Sequence, residues 1–226
     1  MERDAAVDRL EAIVDRVESE PMPVPVREVW AFGDVALGLD PVERLDVYVT
    51  KDVLMRGDAE FAREFEAEYG VKGVGKTVRR EWAEANPDRV RASDNGYAAP
   101  EQCLAAELVD GTAGGGAGES SGDEAPIHLE VCNASFEDNV TQRLKGALAR
   151  DAYGEILDPR GVCLWVDGER DPEAFERLRE ASLAMPTLER ALGMLGADDD
   201  VAGEAAATLK TQRSEQEGAS VRGDLI

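Results

Sequence analysis

Two carboxylates in separate strand-like segments are the side chains best suited to chemistry in this sequence. Asp46 lies in the alternating segment 42–50, with apolar residues on one face of the predicted strand and Asp46 on the other. Glu130 lies in a second segment, 126–134, where it shares a face with His128. If the two strands are neighbours, the two carboxylates can bind one hard cation such as magnesium, and the sequence leaves the identity of any cofactor open.

A glycine-containing turn precedes the first of these strands. Gly33 and Gly38 bracket a short segment that follows an apolar strand, and Asp34 occupies the second turn position. Glycine lets backbone amides approach phosphate oxygens, because it has no Cβ atom to collide with them. The turn and Arg44, which begins the next strand, are therefore candidates for nucleotide binding.

The stretch 30–49 resembles the signature of the minimal nucleotidyltransferases. In that family an apolar strand is followed by Gly-Ser, one residue, Ala, one residue and Gly, and then by Ser-Asp-x-Asp-Leu on a second strand. Here Gly33, Ala36 and Gly38 stand at the glycine and alanine positions, and Asp46 stands at the second aspartate. The resemblance implies an α/β fold with a small mixed sheet of nucleotidyltransferase type.

The same resemblance implies a site and its residues. Members of this family hold two magnesium ions about 3.5–4 Å apart between carboxylates on neighbouring strands. Asp46 and Glu130 would then be the catalytic residues, with Glu130 or His128 in the position of the third acid. The corresponding metal ligands would be Asp46, Glu130 and His128.

Two substitutions separate this sequence from the family pattern. Asp34 replaces the serine of the turn, and Arg44 replaces the first aspartate of the pair. A guanidinium is positively charged and offers only donors, so it cannot ligate a metal. The sequence therefore predicts an inactive nucleotidyltransferase-like protein that binds a nucleotide or a protein and acts in regulation. The alternative is a magnesium-dependent nucleotidyltransferase with rearranged carboxylates.

A second alternative is a P-loop-type NTPase. Residues 70–77, GVKGVGKT, match the pattern G-x-x-x-x-G-K-[ST]. That motif requires a buried strand before it and a helix after it, whereas residues 61–69 have helical spacing and many charges. The pattern therefore favours a turn between two helices.

Composition and periodicity divide the chain into five parts. The parts are an N-terminal helix with the strand–turn–strand (1–57), a helical insertion (58–110), a flexible Gly-rich linker (111–125), the remaining strands and helices of the core (126–197) and a tail (198–226). Helices are expected at 5–19, 58–69, 75–86, 100–109 and 136–150. The tail is acidic and alanine-rich with little apolar periodicity, so it is predicted to be mobile or only partly helical.

The charge balance bears on environment and partners. The chain has 48 acidic and 25 basic residues, for a net charge of −23. Such a surface is typical of halophilic proteins, because at molar salt the Debye length falls to about 3 Å and like charges barely repel. The predicted location is a salty cytoplasm, with no membrane partner, since no apolar stretch is long enough to span a bilayer. Nucleic acid stays open as a partner, as does a protein bound by the helical insertion.

Overall fold

The structure is a computed structural model, and most of both halves of the chain can be described. The described residues are 1–19, 25–52, 59–60, 63, 67, 78–79, 97–98, 100–110, 126–215 and 220–223. The helices are α1 (Arg3–Ser19), α2 (Pro100–Ala105), α3 (Phe136–Arg150), α4 (Pro172–Glu180), α5 (Leu188–Met194) and α6 (Asp199–Glu215). The strands are β1 (Val26–Phe32), β2 (Leu45–Lys51), β3 (Val78–Arg79), β4 (Tyr97–Ala98), β5 (Ile127–Cys132), β6 (Gly161–Val166), β7 (Glu169–Arg170) and β8 (Ser220–Gly223).

One mixed sheet organises the described part of the chain. Its strand order is β7-β6-β1-β2-β5-β8, with the four-residue strand β8 at one edge. Strand β1 runs antiparallel to both β2 and β6, whereas β2 and β5 are parallel. The predicted α/β fold with a small mixed sheet is therefore confirmed.

The two faces of the sheet differ in chemistry because strand residues alternate in direction. On one face Val29, Val47 and Leu129 join a hydrophobic core that includes Leu10 of α1. The spacing of apolar residues that predicted a helix at 5–19 is thus the spacing that buries one side of α1. The opposite face carries Asp46, Tyr48, His128 and Glu130, and it is covered by α3 and by the segments that follow.

Helix α3 begins with two local signals that position it over the polar face. The Ser135 side chain accepts a hydrogen bond from the backbone N–H of Asp138, which is an N-cap. The ring of Phe136 then stacks on Trp30 at 4.7 Å between centroids and contacts Tyr48 edge-on at 5.3 Å. This aromatic cluster fixes one end of α3 against β1 and β2.

The structure describes part of the tail 198–226, which was predicted to be mobile or only partly helical. Residues 199–215 form the continuous helix α6, and Ala202 and Ala205 are buried in a small core with Leu144 and Leu192. Alanine is the best helix former, so this segment is helical without a wide apolar stripe. A search for large apolar residues at helical spacing therefore missed it.

The insertion is described only in part. Ala59, Glu60, Arg63 and Ala67 are helical, as expected for residues 58–69, and α2 begins at the predicted position. The prediction of a helix at 75–86 is wrong at Val78–Arg79. These two residues form a short strand that pairs antiparallel with Tyr97–Ala98. Residues 70–77, which carry the P-loop pattern, and the linker 111–125 lie outside the described residues.

Among the described residues, no helix has both the length and the apolar character that crossing a bilayer requires.

Candidate functional site

The two strands that carry Asp46 and Glu130 are neighbours in the sheet, as predicted. Strands β2 and β5 pair in parallel, with Asp46 opposite His128 and Tyr48 opposite Glu130. Residues two apart on a strand share a face, so Asp46, His128 and Glu130 all project from the same side of the sheet. The side chains of Asp46 and Glu130 are almost completely buried there.

The glycine turn lies beside Asp46. Gly33 has a φ of +70°, a conformation that favours glycine, and Oδ2 of Asp46 lies within the volume that a Cβ atom would need. Gly38 also has a φ of +70°, but a Cβ there would meet the Cβ of Ala181 at 2.9 Å. Gly33 therefore permits a close approach inside the site, whereas Gly38 permits packing against the segment after α4.

Asp34 organises the loop that leads into β2. Its Oδ2 accepts hydrogen bonds from the backbone N–H groups of Glu43, at 3.1 Å, and Arg44, at 3.2 Å. Its Oδ1 lies 2.9 Å from Nη2 of Arg213. The carboxylate at the position of the family's serine is thus held by donors from the chain itself.

Asp46 is bound by two arginines. Oδ1 of Asp46 accepts from Nε of Arg44 at 2.8 Å and lies 2.7 Å from its Nη2, so both donors of one guanidinium edge converge on a single oxygen. Oδ2 of Asp46 accepts from Nη2 of Arg213 at 2.5 Å. One nitrogen of Arg213 therefore bridges Asp34 and Asp46, and Arg44 occupies the other side of Asp46.

Burial and these guanidiniums shift the pKa of Asp46 in opposite directions. Burial raises the pKa of Asp46, and the positive charges of Arg213 and Arg44 offset this only in part. An arginine stays protonated in proteins, so both oxygens of Asp46 keep cationic donors. We therefore assign Asp46 as a carboxylate in a buried ion-pair cluster.

Glu130 has its own partners. Oε2 accepts from Nη1 of Arg143 on α3, and Oε1 lies 3.2 Å from Nε2 of His128. Burial opposes ionisation of Glu130, but the hydrogen bond with His128 and the charge of Arg143 outweigh it and lower its pKa below the usual value. Glu130 is therefore a carboxylate as well, and His128 is its hydrogen-bonding neighbour.

These contacts bear on the predicted metal ligands. Both oxygens of Asp46 accept from guanidiniums, and those of Glu130 are shared between Arg143 and His128. Within the described ranges no group of three or more His, Cys, Asp or Glu side chains is arranged to hold a metal ion. Magnesium binding by Asp46, Glu130 and His128 stays a prediction.

A cavity of about 860 Å³ opens over this face of the sheet. Its polar lining consists of Asp34, Glu43, Arg44, His128, Glu130, Arg143, Asp158, Arg160, Glu189, Lys210, Gln212 and Arg213. Its apolar lining consists of Phe32, Leu37, Leu39, Ile156, Leu157, Leu188, Ala206, Ala207 and Leu209, and Gly154 also lines it. The volume falls within the range of small-molecule and cofactor sites.

Some of the predicted site residues line this cavity and others do not. Asp34, Arg44, His128 and Glu130 line it. Gly33 and Asp46 lie directly behind the lining, because Arg213 contacts Asp46 and closely approaches Gly33. Gly38 is a packing position on the other side of the turn.

Cationic side chains are the part of the site that sequence reasoning missed. Arg143, Arg160, Lys210 and Arg213 line the cavity together with Arg44, in a chain with a large excess of acid. Arg143 was recognisable, because it is on the helix that follows the Glu130 strand. Arg213 gave no signal, since it is 167 residues from Asp46 in sequence and lies in the segment expected to be mobile.

The cavity can therefore accommodate a molecule with two kinds of surface. Guanidinium and ammonium groups suit phosphate or carboxylate oxygens, and the apolar wall suits a flat or aliphatic group. The lining contains five Asp or Glu side chains and five Arg or Lys side chains, so its own net charge is close to zero.

Comparison with known proteins identifies a family that matches this chain. A profile described as a family of unknown function, DUF7095, matches residues 2–226. No curated protein gives a significant match. No solved structure gives a significant match either.

Proposed function

We propose, for a chain that belongs to the DUF7095 family of unknown function, that the cavity binds a nucleotide and that the protein acts as a non-catalytic binding or regulatory module. This proposal includes the nucleotidyltransferase-like origin of the strand–turn–strand. It also places the protein in a salty cytoplasm, where its negative surface remains soluble.

The observation that carries the proposal is the occupation of both predicted catalytic carboxylates by arginines of the same chain. Asp46 is held by Arg44 and Arg213, and Glu130 is held by Arg143. Two-metal transfer needs carboxylate oxygens that are available to cations about 3.5–4 Å apart. Here the same oxygens accept from guanidiniums, which leaves them less available to metal ions and supports a role in binding over a role in transfer.

The shape and lining of the cavity support a nucleotide over a simple inorganic anion. A volume of about 860 Å³ is much larger than a phosphate ion requires, and much of the lining is apolar. Leu37, Leu39 and Leu209 line the cavity and are not buried, so they give it apolar surface against which a base can pack. The phosphate groups would lie toward Arg44, Lys210 and Arg213.

Binding can be tested by thermal shift and titration calorimetry in multimolar potassium chloride. The probes are ATP, ADP, AMP, the corresponding guanine nucleotides, and adenosine. A nucleotide present at 100 times its dissociation constant should stabilise the folded protein by about 2.7 kcal/mol. Failure of all of these nucleotides to raise the Tm or release heat contradicts the proposal.

A matched pair of lysine variants locates the binding. Lys210 lines the cavity on α6, whereas Lys145 is exposed on α3 and is not part of the lining. Lys210→Glu should weaken nucleotide binding severalfold, because a rim charge is reversed next to the phosphates. Lys145→Glu makes the same change in net charge and should leave the dissociation constant unchanged. Equal effects of both variants would place the nucleotide elsewhere.

A further inference from the structure

Arg143 of α3 is held in the cavity wall by contacts in two directions. Its Nε donates to the backbone oxygen of Glu155 at 2.8 Å, and its Nη1 donates to Oε2 of Glu130. Glu130 is itself fixed, because it is buried in β5 and its Oε1 lies 3.2 Å from Nε2 of His128. The orientation of the Arg143 guanidinium is therefore set by β5 on one side and by the segment after α3 on the other.

The third nitrogen of this guanidinium, Nη2, is left over. It carries two N–H groups, and within the described ranges no residue accepts a hydrogen bond from either of them. Arg143 lines the cavity, and its side chain is 16% exposed. Because the chain itself takes up Nε and Nη1, Nη2 is the nitrogen that remains for an oxygen of a ligand.

The other arginines among the described lining residues differ from Arg143 at this nitrogen. Each of them has Nη2 on a carboxylate, and these contacts are Arg44 to Asp46, Arg160 to Asp158, and Arg213 to Asp34 and Asp46. Nη2 belongs to both two-donor edges of a guanidinium, so a carboxylate at Nη2 leaves less of the planar fork for a second anion. Arg143 is the arginine of this set whose Nη2 stays available.

We infer that Arg143 holds a phosphate group of the bound nucleotide through Nη2, while Nε and Nη1 stay on Glu155 and Glu130. The contact is a charge-assisted hydrogen bond from donors that are in place before the ligand arrives. It connects the phosphate to β5 through Arg143 and Glu130. This inference rests on the proposed nucleotide-binding function and names one phosphate contact within it, on the β5 side of the cavity.

The existing contacts of Arg143 suit it to this role. Its side chain is already ordered, so little side-chain entropy is lost when a phosphate binds. Lys210, by contrast, is exposed and must give up more side-chain freedom to hold the same group. Glu130 balances the charge of Arg143 but leaves the donors of Nη2 in place. Recognition then depends on a short directional contact, which matters at molar salt because long-range attraction between charges is screened.

The first test compares ADP with adenosine by titration calorimetry, in EDTA and multimolar potassium chloride. Arg143→Gln should weaken ADP binding about tenfold to a hundredfold and leave adenosine binding unchanged, because only ADP carries phosphates. Arg143→Lys keeps a charge that can pair with Glu130 but has no planar fork, so its ADP affinity should be intermediate.

Arg150→Gln is the matched control. Arg150 also lies on α3 and also contacts Glu155, but through an exposed ion pair, and it is not part of the cavity lining. The substitution makes the same change in net charge as Arg143→Gln and should leave both dissociation constants unchanged. Circular dichroism shows whether each variant is folded. Arg143→Lys serves if Arg143→Gln is unfolded, because a lysine keeps a partner for the buried Glu130.

The second test is a crystal structure of the wild-type protein with ADP. A phosphate oxygen should lie about 2.7–2.9 Å from Nη2 of Arg143. Glu130 should remain on Nη1 in the same complex. ADP bound with its phosphates away from Arg143 would overturn the inference, and this structure also decides the matter if adenosine binds too weakly to measure.

The outcomes separate this inference from the proposed function. If wild-type protein binds neither ADP nor any other nucleotide, both fail. If ADP binds and the Arg143 variants weaken ADP and adenosine equally, or weaken neither, the nucleotide site stands and Arg143 is not a phosphate contact.

Discussion

Gly33 and Asp46 are so close that Oδ2 of Asp46 occupies the space in which a Cβ atom of Gly33 would stand. Both η nitrogens of Arg213 crowd the same space. The backbone of Gly33 has a φ of +70°, which L-residues rarely adopt. The absence of a side chain at residue 33 is therefore what allows the turn, β2 and α6 to meet.

We expect Gly33→Ala to destabilise the protein by about 2–4 kcal/mol, from backbone strain and from overpacking against Asp46 and Arg213. The measurement is the free energy of unfolding from urea titration in high salt. Gly203→Ala is the control, because Gly203 lies within α6 and nothing is within 4 Å of a Cβ there. That substitution should stabilise the protein by about 0.5–1 kcal/mol. A Gly33→Ala variant as stable as wild type would contradict the observed approach.

The acid dependence of stability should identify Glu130. Its pKa in the folded protein is below the usual value of 4.5, so the folded state binds fewer protons there than the unfolded chain. Glu130 therefore contributes stability above about pH 4.5 that is lost as pH falls through the lowered pKa. We expect Glu130→Gln to be less stable than wild type at neutral pH, with a difference that shrinks steadily on acidification. Urea titrations between neutral and acidic pH measure this difference.

Asp46 should show the opposite slope. Burial raises its pKa, so the folded state takes up a proton at higher pH than the unfolded chain does. Wild-type protein should therefore gain stability relative to Asp46→Asn as pH falls toward the unfolded pKa. The same titrations test this, with Glu130→Gln as the matched comparison. Parallel pH profiles for the two variants would show that the two carboxylates are not in distinct environments.

The sequence alone predicted those parts of the site whose structure depends on residues close to each other in the chain. Alternation in 42–50 and 126–134 predicted two strands, and their pairing places Asp46 opposite His128. The turn at Gly33 was predicted because glycine has a local backbone role there. In each case the physical cause lies within a few residues of its effect.

The sequence was insufficient where the cause is a distant contact. The pairing of Arg213 with Asp46 spans 167 positions, and α6 owes its place to alanines that any surface helix could contain. Glu28 is similar: its buried Oε2 accepts from Trp30, Thr50 and the backbone of Phe136, and nothing in its sequence context sets it apart. Charged residues that pair with each other over a long sequence separation cannot be told from ordinary surface charges in the sequence alone.

Catalysis provides a direct comparison of the two main functional hypotheses. We expect no nucleotide transfer by wild-type protein with magnesium or manganese in multimolar potassium chloride, because Arg44 and Arg213 occupy the oxygens of Asp46. The measurement is incorporation of labelled nucleotide into protein, RNA or a small acceptor. Nucleotide binding, by contrast, should be the same with magnesium and with EDTA. Labelled product that disappears in Asp46→Ala would favour the enzyme with rearranged carboxylates.

Salt dependence tests the origin of the acidic surface. With a net charge of −23, repulsion within the folded protein is long-ranged at low ionic strength and is screened within about 3 Å at molar salt. The folded state should therefore lose stability as potassium chloride is removed, as seen by circular dichroism and by a falling Tm.

The buried pair of Arg44 and Asp46 is shielded from solvent ions, so its contribution to stability should change little over the same range of salt concentration. Double-mutant cycles for Arg44 and Asp46 at high and low salt would separate the two effects. A Tm that does not change with salt would mean that the acidic surface does not limit stability, and the halophilic hypothesis would then be wrong.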